Sequence, residues 1–232
     1  MRKSKKSLIL IEEIEKTKQY DLLDNLNDPK KWEKIDGTEK IRLAQLFMQR
    51  GESLIQKEDV SGLASFDVAA KLAPLSKDVL YQQAATHVQL CHMGGDLLSA
   101  VDSLSKAVEV DPSFIEAWSL LAECYVLLGQ KEDDFTYFTK VTDVLDKAHK
   151  TFKTLKLNSP RFYWHWGRCL TAIGVFSEEP KDFQDAIAKF EKAVAYGLES
   201  GELYFDLGNA MVDFASLVGQ NERMHEAIKW YN

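Results

Sequence analysis

Three stretches hold residue types that could do chemistry. His87 and Cys91 lie four apart, with His92 following. On a helix the first two share a face, and both are zinc ligands by type. Structural zinc takes four ligands, and no third and fourth stand at suitable spacing. The plainer reading is a cysteine packed in a core beside histidines near a helix end. His165 and Cys169 are also four apart, next to Trp164 and Trp166, and form a candidate Cys/His nucleophile pair. No Gly-rich elbow and no third partner accompany them, so packing or surface is the simpler account. Glu178-Glu179 stands beside Pro180 and reads as a helix cap. No phosphate-binding glycine loop, paired-acid signature or metalloprotease motif occurs. The sequence therefore predicts no enzyme, no cofactor and no metal site.

The elements around these residues are helical. The chain has 232 residues, 45% of them hydrophobic, with few glycines and five prolines. That is enough for a sizeable core, and length allows one or two domains. A formal net charge of -7 is a poor match for nucleic acid. Cys91, Cys124 and Cys169 are far apart and odd in number, which argues for a reducing compartment, so a cytoplasmic setting is expected. The basic head Arg2 to Lys6 is followed by an apolar run only from Leu8 to Ile11, too short for a signal core or a membrane span.

Along the chain, Leu8, Ile11 and Ile14, then Leu22, Leu23 and Leu26, keep helical spacing and predict a helix from about Ser7 to Leu26. Asn27-Asp28-Pro29 ends it. Trp32 and Ile35 fall in a linker, and Asp36 with Glu39 reads as a capping box that starts the next helix. The clearest segment is Asp111 to Gln130. It opens on Asp-Pro, carries Trp118, Leu121, Ala122 and Tyr125 on one helical face, and reaches Gly129 near its end. Ala100, Leu104 and Ala107 precede it at helical spacing, a stripe that runs up to Pro112.

The same arrangement recurs from Ile41 onwards. Tyr204-Leu207-Gly208 repeats the first half, and Ala186-Phe190-Ala193 repeats the second. This pattern resembles the tetratricopeptide repeat family, over about Ile41 to Asn232. The resemblance implies an all-α solenoid of helix-turn-helix units in a right-handed superhelix. The organisation expected is an N-terminal helical segment and linker over 1–40, then an array of about five helix pairs over 41–232, the last truncated. The small residues of successive first helices are Gly51, Ala84, Ala122, Gly167 and Gly208, spaced 33, 38, 45 and 41 apart. The family period is about 34. The excesses of about four, eleven and seven residues amount to whole helical turns. They predict lengthened helices: one turn added around Cys91 to Gly95, and three by running a helix on through Ala148 and Phe152 to Leu155.

The resemblance also implies a concave groove lined by the first helix of each pair. Its slots lie three before and one after the small residue. The first slot holds Met48, Tyr81, Ser119, Trp164 and Phe205. The second holds Glu52, Ala85, Glu123, Arg168 and Asn209. Arg161 and Glu202 start their helices on the same side. Rings supply area and charges supply orientation, so Tyr81, Trp164, Arg168 and Phe205 are the leading partner-binding candidates, with Glu52, Glu123, Arg161 and Asn209 beside them. Co-chaperones of this fold clamp a carboxylate with Lys and Asn at these slots, and only Asn209 matches. Glu52, Glu116 and Glu123 favour a basic or amide-rich ligand in the first half, whereas Arg161 and Arg168 make the fourth copy cationic.

The function expected is a protein–protein interaction scaffold or adaptor that binds a peptide or helix. The alternatives are a chaperone for a secreted or unstable partner, and the regulatory domain of a longer enzyme. Trp230 and Tyr231 are apolar residues near an abrupt end. They predict either a longer native chain or self-association through that end, which a mass measurement and sedimentation distinguish.

Overall fold

A computed structural model describes residues 2–219. Among these residues the regular structure is entirely helical. The expected second helix of the fifth pair and the Trp230–Tyr231 end lie outside the described residues. None of the described helices is long and apolar enough to cross a membrane.

The chain divides into two compact units, Met1–Asp111 and Pro112–Asn232. In the first unit α1 (Arg2–Thr17) and the short α2 (Pro29–Trp32) precede two helix pairs. These are α3 (Gly37–Ile55) with α4 (Gly62–Leu72), and α5 (Lys77–Gln89) with α6 (Leu97–Val110). The predicted capping box is present. Asp36 Oδ1 accepts the Glu39 amide at 2.8 Å, and Glu39 Oε2 accepts the Asp36 amide at 3.3 Å. Two donors at the α3 N-terminus are thereby satisfied.

The expected single helix from Ser7 to Leu26 is broken. α1 stops at Thr17, Lys18 adopts φ 57°, and a 3-10 turn runs over Tyr20–Asn25. An unbroken helix of that length would extend about 30 Å. The break instead folds Leu23 and Leu26 onto the core that already holds Ile11 and Ile14, against Leu43, Phe47 and Leu72. Arg42 pairs both oxygens of Glu15, at 3.0 and 2.6 Å, and fixes α1 on α3.

The turn added around Cys91 is real but is not α-helical. Cys91–Met93 form a 3-10 turn that ends on Gly94, at φ 103°. Such a φ favours glycine.

In the second unit α7 (Ile115–Glu132) pairs with α8 (Phe135–Leu155), α9 (Pro160–Ser177) pairs with α10 (Pro180–Ala195), and α11 (Gly201–Val218) packs on α10. The Trp118 indole donates to the Pro112 carbonyl at 3.1 Å, which closes the Asp-Pro turn onto α7. α8 runs to Leu155 as the spacing predicts, with Ala148 and Phe152 buried. Its added turns reach α9, where Phe152 meets Phe162 edge-on at 4.9 Å. Pro160 and Pro180 occupy first helical turns. Of the acidic pair before Pro180, Glu178 takes a left-handed conformation that ends α9. Glu179 sits at the N-cap of α10 but makes no side-chain cap bond. Ser177 organises that corner, accepting the Glu179 amide at 3.2 Å and donating to Asp182 at 2.7 Å.

The helix pairs close through glycine. A Cβ at Gly51 would lie 2.5 Å from the Phe66 ring, and one at Gly167 would lie 2.5 Å from the Phe190 ring. Overpacking of this kind costs about 1–3 kcal/mol. Gly167→Ala should therefore lower the urea midpoint by that equivalent. Gly201→Ala, with nothing within 4 Å of the new atom, should stay within about 0.5 kcal/mol of wild type.

Candidate functional site

Helix α9 has two working faces because Gly167 and Phe190 fix its rotation. With 3.6 residues per turn, Trp164 and Arg168 project roughly 60° and 100° around the axis from Gly167. That carries them away from α10 and towards α7 and α11. On α11 the aligned position is Phe205, 57% exposed, with Asp206 after it.

These residues form one constellation. The Trp164 indole N–H donates to Asp206 Oδ2 at 2.8 Å. Arg168 Nε stands 3.7 Å from the same oxygen, and its guanidinium carbon lies 5.8 Å from the Trp164 ring centre. One carboxylate on α11 therefore orients both a ring and a cation on α9. Trp164, Arg168, Glu202, Phe205 and Asp206 line an open hollow of about 610 Å³.

A second recess, of about 210 Å³, lies between α7 and α9. Ser119, Glu123, His165, Arg168 and Cys169 are among its walls. Arg168 belongs to both spaces. Ser119 is buried, and its Oγ has no hydrogen-bond partner. An orphaned buried hydroxyl costs about 1–3 kcal/mol relative to a satisfied one.

The other expected residues distribute as follows. Arg161 is exposed on the first turn of α9, and Asn209 is half-buried one turn beyond Phe205 on α11. Glu52 is exposed on α3 and Tyr81 half-buried on α5, both in the first unit. Asp206 was not anticipated. It stands two residues before Gly208, as His165 stands two before Gly167, and its partners lie on another helix, so no spacing rule marks it.

The chemistry-bearing pairs have structural settings. His87 Nε2 and Asp67 Oδ1 are 2.8 Å apart, and His87 Nδ1 accepts the Asp96 amide at 2.9 Å. Acceptance at Nδ1 puts the proton of the neutral ring on Nε2, which then donates to Asp67. Both ring nitrogens are thus engaged. Burial pushes the Asp67 carboxyl up, but its hydrogen bonds from His87 and Gln83 leave it below the usual value. Among the described residues no group of three or more His, Cys, Asp or Glu side chains is placed to hold a metal ion.

Cys169 is buried, and burial pushes its thiol up to about 12, with Glu123 acting in the same direction. A nucleophilic cysteine needs the opposite shift. Burial, together with Arg168 and Arg161, lowers His165 to about 4. The imidazole is neutral at pH 7 and offers a donor and an acceptor to the recess.

No family model matches the chain. Superkiller protein 3 of Schizosaccharomyces pombe is 25% identical over 175 residues, 74% of this chain. The chain spans only 12% of that protein's length. Among solved structures, TTC0263, a thermophilic TPR protein of Thermus thermophilus, superposes with a TM-score of 0.54 at 19% identity, over 81% of this chain and 96% of that one. MamA superposes at 0.51 and 20% identity, over 81% and 87%. A tetratricopeptide repeat protein from Parabacteroides merdae superposes at 0.54 and 13% identity, over 99% and 78%. The fold of this chain is that of the tetratricopeptide repeat α-solenoids.

Two outcomes follow from the titrations. His165 is held near 4 in the folded chain against 6.5 when free. The folded state then binds fewer protons than the unfolded state between these values. Its contribution to stability is complete above about 6.5 and is lost as pH falls towards about 4. Urea midpoints at pH 7 and pH 5 should differ less for His165→Gln than for wild type. In native alkylation at pH 8 followed by mass spectrometry, half-buried Cys91 should react well before buried Cys124 and Cys169.

Proposed function

We propose that the chain is a protein-binding module, and that the α7–α9–α11 face of the second unit receives a peptide or helix of the partner. The observation behind this is the hollow at Phe205. A large ring is more than half exposed beside an indole and a guanidinium that a single carboxylate holds in place. Preordered aromatic and arginine side chains lose little freedom on contact, and such residues dominate binding energy at interfaces.

The neighbouring recess supports the same reading. The orphaned Ser119 hydroxyl, the neutral His165 ring and the Glu123 carboxylate offer donors and acceptors side by side. A main-chain or side-chain amide matches that combination. Tyr81 and Glu52 are proposed as partner contacts of the first unit. The fold supports a scaffold role because it is shared with repeat proteins of the same architecture.

Affinity capture with the wild-type chain, Phe205→Ala and Arg168→Glu, read by mass spectrometry, tests this assignment. Both variants should lose the same proteins, because they disturb one surface from two helices. An identical set of captured proteins for all three baits would overturn it.

A further inference from the structure

The opposite side of α9 holds a different surface. From Lys147 to Arg161 the sequence carries Lys147, Lys150, Lys153, Lys156 and Arg161 and no acidic residue, in a protein of net charge -7. This run forms the C-terminal half of α8 and the turn into α9. The last turns of α10 bring Lys189 and Lys192 to the same place.

No ion pair with a described carboxylate engages Lys153, Lys156, Lys189 or Lys192. Aromatic faces hold two of them instead. Lys189 Nζ sits 3.8 Å above the Trp166 ring centre, and Lys192 Nζ sits 4.3 Å above that of Tyr163 and 5.6 Å from that of Tyr196. The cations are close enough to act on one another. Lys189 is lowered by burial first and by Lys192 second, and His149 by burial and then by Lys192, Lys189 and Lys153. A lysine near a helix C-terminus is favoured by that helix alone. The fold, however, brings the ends of α8 and α10 together, where Asp146 and Asp185 partly offset the repulsion and Glu191 stands exposed on α10 between Lys189 and Lys192 in sequence.

Between these ends lies a hollow of about 390 Å³. Lys153, Lys156 and Lys192 stand around it, Phe162 is buried beneath, and Leu157 and Tyr196 are exposed at 37% and 42%. The Tyr163 hydroxyl and His149 Nδ1, 3.2 Å apart, occupy each other, and Lys153, Lys156 and Lys192 supply the charge of a wall that Asn158 and Ser159 complete.

We infer that this hollow is a docking site for an acidic peptide segment of a partner protein, one that carries a large apolar side chain among its carboxylates. Carboxylates neutralise the clustered ammonium groups, and the apolar side chain covers Leu157 and Tyr196. The protein's overall negative charge disfavours a long polyanion such as nucleic acid, whereas a short acidic segment meets only the local field. The site is separate from the α7–α9–α11 face and stands or falls independently of it.

The test is fluorescence anisotropy of a rhodamine-labelled peptide, Glu-Glu-Leu-Glu-Glu-Phe-Glu-Glu, with the full chain at low salt. Its all-glutamine counterpart and an octathymidylate serve as competing probes. Wild type should bind the acidic peptide saturably, and added salt should weaken it. The glutamine peptide, and the variant Lys153→Glu with the acidic peptide, should each bind about tenfold or more weakly, the scale of losing one or two charge-assisted contacts. Lys181→Glu makes the same charge change elsewhere on α10 and should bind as wild type does. Should Lys153→Glu lower the unfolding midpoint, Lys156→Glu supplies the same reading. Absence of binding, equal loss in Lys181→Glu, or tighter binding of octathymidylate than of the peptide would each overturn the inference.

Discussion

The contact on which the fold depends is a phenylalanine ring lying against a glycine. It occurs at Gly51 with Phe66, Gly129 with Phe138, Gly167 with Phe190 and Gly174 with Phe183. At each of these a Cβ would come within 2.9 Å of a ring carbon. Interiors packed to crystal density leave no room for that displacement. The missing atom therefore sets how closely two helices approach and how each is rotated about its axis. In the second unit two such contacts act on the same pair, α9 with α10, so α9 is fixed along most of its length.

Everything placed on α9 inherits that rotation. Phe162, Tyr163 and Trp166 turn inwards against α8 and α10, while Trp164, His165 and Arg168 turn to α7 and α11. Charge is sorted along with shape. Burial, with the two arginines on the outward face, keeps the His165 ring neutral, and Asp206 answers Arg168 from α11. On the inward edge the lysines of α8 and α10 meet, and ring faces take part of the role that carboxylates fill elsewhere. Cation–π contacts of this kind are worth about 0.5–2 kcal/mol each. They hold the ammonium groups in position without cancelling their charge.

Much of this was legible in the residues. The Asp36–Glu39 box, Pro180 at the start of α10, and the length of α8 follow from local stereochemistry and helical periodicity, which act over one to a few turns. The angular positions of Trp164 and Arg168 on α9 follow for the same reason, since a fixed offset from a buried glycine fixes an angle. The N-terminal break was hidden. Leu22, Leu23 and Leu26 remain in phase with Ile11 and Ile14, so periodicity alone favours one helix, and only the core formed with α3 favours folding back at Lys18. Asp206 and the lysines of α10 were hidden in another way, because their partners lie on other helices and no spacing rule connects them.

Residue types and their spacing are enough to set the class of fold, the helix boundaries near caps and prolines, and which side of each first helix is apolar. These are properties of a segment and its near neighbours along the chain. Packing in three dimensions is what gives Trp164 and Arg168 one shared carboxylate, buries the Ser119 hydroxyl without a partner, and drives the Cys169 thiol to about 12. It also brings Lys192 of α10 to the hollow that Lys153 and Lys156 line. Burial and electrostatic coupling depend on distance in space, and close packing brings together groups that are far apart along the chain.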